Sequence, residues 1–215
     1  MKTISVETTI HGRALVQDPS EPSTPLRLLV GFHGYAQSAE DMLSELARIP
    51  GHERWTLLSV QGLHRFYSRR YETVVASWMT RQDRDLAIAD NMRYVDRVME
   101  SVVGADDDPT VVFVGFSQGA AMAYRAGVLG RYCARQVVSI GGDVPPDIRS
   151  VPSSRYPAIL LARGEDDALY TAEKAKEDES FLRSLGVTLD IIPYRGGHEW
   201  TDELRARIGE TLTSF

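Results

Sequence analysis

The stretch Gly115-Phe116-Ser117-Gln118-Gly119 constrains the fold of this chain more than any other, because of what lies on either side of it. Before it runs Thr110-Val111-Val112-Phe113-Val114, an apolar segment of strand character. After it come Ala120-Ala121-Met122-Ala123-Tyr124, mostly small residues suited to a closely packed helix. A buried strand that turns this sharply into a helix needs glycine on both sides, since side chains at 115 and 119 would run into the neighbouring strand or helix. Ser117 at the apex is then forced into strained backbone, at a cost of about 1–3 kcal/mol, and its hydroxyl stands clear of the chain. That is the geometry in which a serine acts as a nucleophile.

The rest of the chain supplies the sheet this turn requires. Leu26 to Phe32 is a nearly continuous apolar run, as expected of a strand buried on both faces of a parallel sheet. Further strands are expected at Trp55–Val60, Gln136–Ile140, Ala158–Ala162 and Thr188–Pro193. Helical spacing separates them. It shows at Met42, Leu43, Leu46 and Ile49, at Leu86, Ala89, Met92, Val95, Met99 and Val102, near 172–185, and at 202–212. The expected fold is therefore α/β, a doubly wound, mostly parallel sheet without a large lid domain. At the N-terminus, Ile4–Ile10 and Arg13–Val16 flank His11-Gly12 and predict a two-stranded hairpin at a sheet edge.

At 215 residues the chain fits a single domain, 1–215, with one sizeable core. Its 24 basic and 30 acidic residues leave a net charge of −6, which speaks against a nucleic-acid or anionic-membrane partner held by bulk charge. A lone cysteine, Cys133, forms no disulfide within the chain. With no apolar leader or membrane-spanning run, the expectation is a cytoplasmic protein without membrane insertion, a monomer or homodimer.

A serine nucleophile needs a base, and the base needs an acid to orient it. In a fold of this kind they follow in the order serine, carboxylate, histidine, on loops at the same sheet edge. His198, in Gly196-Gly197-His198 after the last strand, is the base candidate; His11, His33, His52 and His64 all precede Ser117. The loop Arg163 to Tyr170 offers Glu165, Asp166 and Asp167. Asp167 is the preferred acid, with Asp166 and Asp143 as rivals. Developing negative charge on an acyl oxygen needs amide donors, expected to be the backbone N–H of Gln118 and that of Tyr35 in the loop His33 to Gln37.

Phe32-His33-Gly34, Ser77-Trp78, Gly115-Phe116-Ser117-Gln118-Gly119-Ala120, Gly164-Glu165-Asp166-Asp167 and Gly197-His198 together resemble the carboxylesterase/phospholipase family of α/β-hydrolases, the lidless group that includes acyl-protein thioesterases. The resemblance runs over most of the chain. It implies cleavage of a carboxylic ester or thioester bond in a small-molecule acyl substrate through an acyl-enzyme, with no cofactor, and it places the acid at Asp167. It also points to Trp78, and less directly His33, as substrate-binding. Ala36 and Gln37 replace a glycine and an aspartate common in the family, Ala168 replaces a proline, and the segment 61–70 lacks the family's prolines. The alternative is a ligand-binding module on the same scaffold with negligible turnover.

Other features have plainer readings. His64 to Arg70 interleaves basic and aromatic residues, as on a solvated rim of a binding site. Asp106-Asp107-Asp108-Pro109 lacks the spacing and glycine of a calcium loop and is expected to be a polar turn. No spacing of histidines and carboxylates predicts a metal site.

Overall fold

The computed structural model describes residues 1–22, 24–68, 72–104 and 108–215. Seven strands form one sheet in the order β1-β3-β2-β6-β7-β8-β9. They are β1 (Ala14–Gln17), β2 (Arg27–Phe32), β3 (Thr56–Val60), β6 (Thr110–Phe116), β7 (Ala134–Ile140), β8 (Ala158–Gly164) and β9 (Leu189–Tyr194). Only β1 runs antiparallel to its neighbour, pairing Ala14 with Val60; the other pairings are parallel.

The helices are α1 (Ala39–Leu46), α2 (Arg84–Glu100), α3 (Gln118–Leu129), α4 (Ala172–Ser184) and α5 (Asp202–Leu212). Alternate residues of each central strand serve opposite layers. Leu28, Val30, Phe32, Val111 and Phe113 pack with Val95 of α2, Met122 of α3 and Leu182 of α4. Leu29, Val112, Val114 and Phe116 pack with Met42 of α1 and Leu204 and Ile208 of α5. A strand buried on both faces gains nothing from polar alternation, hence the continuous apolar runs in the sequence. This is the doubly wound sheet the sequence predicts. Among the described residues, the long connection from β7 to β8 holds two short 3-10 turns and no helical insertion.

The sheet order reverses between β2 and β6. The chain leaves β2 toward β3 on one side, then returns to build β6 to β9 on the other. A crevice opens at such a switch point, beyond the carboxyl ends of the strands, and the loops after β2 and β6 face each other across it.

Two expectations are corrected. Ile4–Ile10 forms no strand: residues 1–12 are exposed, and the edge strand β1 pairs instead with β3, far along the chain. Tyr94 on α2 takes the place of a local partner, since its hydroxyl donates to the Arg13 carbonyl and accepts the Arg13 amide. The rim segment from His64 is not simply a loop. His64–Tyr67 (β4) and Val74–Ser77 (β5) form an antiparallel ribbon, tied to the β2 loop by Ala36 N–H to Ala76 O and Ala76 N–H to Gln37 O. Arg69 and Arg70 of that rim, and Asp106 and Asp107 of the expected polar turn, lie outside the described residues.

Candidate active site

Ser117 sits between β6 and α3 with φ 54° and ψ −119°, a backbone conformation costly for any residue with a side chain. The surrounding structure holds it there. Its N–H donates to the Ile140 carbonyl at 2.8 Å, fastening the turn to the end of β7. A Cβ at Gly115 would collide with the Gly119 carbonyl, and one at Gly119 with the carbonyls of Phe32 and His33. Both glycines are thus required by backbone passing close to backbone.

His198 lies in the turn that follows β9, and Asp167 in the loop that follows β8. Their side chains meet, with His198 Nδ1 2.8 Å from Asp167 Oδ2. The other carboxylate oxygen accepts the amides of Leu169 and Tyr170, each at 2.8 Å. Burial raises the Asp167 carboxyl, but the Tyr170 amide, His198 and the Leu169 amide outweigh it, and the net shift is downward. An ionised carboxylate at Nδ1 fixes the hydrogen there and leaves Nε2 with a lone pair. That Nε2 is buried and has no hydrogen-bond partner among the described residues. Of the rival acids, Asp166 and Asp143 are both exposed, and neither bonds His198.

Ser117 and His198 line one cleft of about 400 Å³, together with Gln118, Gly141, Gly142 and Tyr170. The loop after β2 approaches from the other side. Gly34 N–H is taken by Gln37 Oε1 at 2.7 Å and Ala36 N–H by Ala76 O at 3.0 Å. Between them, the Tyr35 N–H donates to no acceptor among the described residues, and neither does the Gln118 N–H at the first turn of α3.

The sequence profile of the phospholipase/carboxylesterase family matches residues 11–210. The chain belongs to that family. Its members are hydrolases of ester bonds, and this chain is a hydrolase of the same class. Among curated proteins no sequence matches it. Solved structures share its fold at low identity. Acyl-protein thioesterase 2 of Zea mays has a TM-score of 0.74 at 19% identity, covering 95% of this chain and 99% of that one. Esterase PE8 gives 0.72 at 16% identity, with 95% and 99% covered. The carboxylesterase of Bacillus cereus gives 0.70 at 17% identity, with 94% of each chain covered.

Within this phospholipase/carboxylesterase family member, the expected substrate contacts are placed differently. His33 and Trp78 are fully buried, and neither lines the cleft. The His33 Nε2 accepts the Gly62 amide at 3.0 Å, so Nδ1 carries the hydrogen and donates to the Gly34 carbonyl at 2.7 Å. Burial lowers its pKa and keeps the ring neutral. The Trp78 indole N–H donates to the His33 carbonyl at 2.8 Å. Both rings shape the floor beneath the loop that carries Tyr35.

Two contributors escape sequence reasoning. One is the side chain of Gln118, whose Oε1 accepts the Trp78 amide and the Ser77 hydroxyl while its Nε2 donates to the Met79 carbonyl. The other is Asp178 on α4, which accepts the Val144 amide and the Tyr170 hydroxyl and pairs with Arg149, fixing two cleft walls at once. Nothing in either residue's local sequence marks it. Among the described residues no group of histidine, cysteine or carboxylate side chains is arranged to hold a metal, and no helix is long and apolar enough to cross a membrane.

Proposed function

We propose that the protein cleaves carboxylic ester or thioester bonds of small acyl substrates through an acyl-enzyme on Ser117. The observation that carries this reading is His198: Nδ1 is held by Asp167, and Nε2 is unpartnered in the cleft that Ser117 lines. In the first half-reaction Ser117 Oγ bonds to the acyl carbon as its proton passes to His198 Nε2. The Asp167 carboxylate stabilises the resulting imidazolium and remains ionised itself. The carbonyl oxygen becomes an oxyanion that the Tyr35 and Gln118 amides receive, each such donor lowering the barrier by about 2.7–4 kcal/mol. Collapse of this intermediate breaks the bond to the alcohol or thiol, which takes the proton from Nε2. Water then repeats the sequence on the acyl-enzyme, releasing the acid and restoring Ser117.

The test is labelling with a fluorophosphonate, read by intact mass and peptide mapping. Rapid modification at Ser117, slowed at least about 10²-fold in His198→Ala, supports the proposal. Well-folded protein that stays unlabelled, with no hydrolysis of 4-nitrophenyl butyrate, overturns it in favour of a binding module.

A further inference from the structure

Five ionisable side chains line the cleft: His198, Tyr170, Asp143 and the arginines Arg81 and Arg84. The arginines stand on the wall formed by Met79 to Arg84. The buried and half-buried arginines Arg125, Arg149 and Arg205 meet Asp147, Asp178 and Glu45. Arg81 and Arg84 are exposed. Neither has a carboxylate at ion-pair distance among the described residues, although Asp83, Asp85 and Asp143 are near in sequence or across the cleft. Burial raises the Asp147 pKa, and Arg125, with a smaller contribution from Arg84, brings it down; both oxygens of that carboxylate already bond Arg125.

The wall that carries them is anchored. Gln118 bonds the backbone at Trp78 and Met79, and the Asn91 amide donates to the Trp78 carbonyl at 2.7 Å. Anchored backbone at Trp78 and Met79 thus leads into the segment that brings both guanidinium groups to the cleft Ser117 lines. Arg84 is the first residue of α2, with Asp83 at the cap and Asp85 in the same first turn. Among the side chains that line the cleft, two arginines outnumber one carboxylate, Asp143, and in a chain of net charge −6 that local excess favours anions there.

We propose that Arg81 and Arg84 form a carboxylate subsite, so that the preferred substrates are esters carrying a carboxylate besides the bond to be cleaved. The planar guanidinium fork matches a carboxylate in two parallel hydrogen bonds. This inference rests on the proposed hydrolysis and specifies its substrate class.

Two matched pairs of esters test it and separate the two places a carboxylate can sit. Mono-4-nitrophenyl adipate against 4-nitrophenyl hexanoate places the charge on the acyl side; 4-acetoxybenzoate against 4-acetoxybenzamide places it on the leaving group. At low salt the charged member of at least one pair is expected to show a kcat/KM about tenfold higher, with the preference shrinking as sodium chloride is added. In the double variant Arg81→Gln/Arg84→Gln the charged-to-neutral ratio is expected to fall about tenfold, chiefly through KM, and Arg81→Lys/Arg84→Lys retains part of it. Wild-type protein that cleaves the neutral esters but prefers neither charged partner overturns the subsite and leaves the hydrolase standing. So does a preference the glutamine variant does not alter. If none of the four esters is cleaved and fluorophosphonate leaves Ser117 unmodified, the hydrolase reading fails and the subsite falls with it.

Discussion

Gln118 Oε1 accepts the amide of Trp78 at 2.9 Å, so the residue beside Ser117 also fastens the wall of the cleft. Replacing Gln118 by alanine keeps its backbone N–H but strips the Trp78 amide of its partner and leaves the Met79 carbonyl with the Ser77 hydroxyl alone. Unsatisfied buried groups of this kind cost about 1–3 kcal/mol. Urea unfolding of Gln118→Ala should show a loss of that order, and kcat/KM should fall by more than the loss of folded protein accounts for.

Asp167→Asn preserves shape but removes the charge that fixes the hydrogen on His198 Nδ1. Turnover should fall by about 10³–10⁴-fold with little change in KM, a loss read directly from initial rates. The same carboxylate has an acid signature. Its folded pKa lies below the ordinary 3.8, so its stabilising effect is present above that value and is lost as pH falls through the lower, folded one. The stability difference between wild type and Asp167→Asn should be level near neutrality and shrink only below about pH 3.8.

His33 gives the opposite kind of pH dependence. Its folded pKa is lowered from 6.5 because the ring is buried, which outweighs the upward pull of the Gly34 carbonyl and Asp41. Below pH 6.5 the unfolded chain binds a proton that the folded one refuses, so acid favours unfolding. Wild type should lose stability relative to His33→Gln as pH drops from 7 toward 5, measured by denaturant midpoints at each pH. Parallel curves would show that the ring does not titrate on unfolding.

Gly119→Ala should be among the most damaging single methyl additions in the protein. The new carbon would collide with the Phe32 carbonyl, which belongs to the neighbouring strand and has nowhere to move. Overpacking of this sort costs about 1–3 kcal/mol, and here it also displaces Ser117 and the Gln118 amide. Soluble Gly119→Ala with wild-type fluorophosphonate reactivity would contradict this account.

The legible parts of the fold were those where local sequence and tertiary demand coincide. Strands β2, β6 and β8 are buried on both faces, and apolar runs announce that directly. Asp167 and His198 meet on the loops after β8 and β9, which is where the expected order of serine, carboxylate and histidine looks for them. The N-terminal hairpin failed because alternation in Ile4–Ile10 fits an exposed extended chain as well as a strand, and the partner of Ala14–Gln17 lies more than 40 residues away in β3. The β4–β5 ribbon was hidden for a related reason. Its first strand, His64–Tyr67, is basic and aromatic, and what holds the ribbon includes a bridge to Gln37 and a bond from Arg65 to the His11 carbonyl. Neither partner is visible from the ribbon's own sequence.

The burial of β6 on both faces has a consequence for how insertions and deletions act on this protein. Val111 and Phe113 serve one layer and Val112, Val114 and Phe116 the other, so shifting the strand by one residue would exchange one apolar set for another. Hydrophobicity therefore discriminates weakly between frames of this strand, unlike one with a solvent face. The discrimination comes from its end, where glycine at 119 lets the chain pass Phe32 and glycine at 115 lets α3 start against the strand. A one-residue deletion between Thr110 and Val114 is thus expected to leave the strand greasy enough to pair yet unable to seat its turn, and such variants should accumulate as compact, inactive protein instead of unfolded chain.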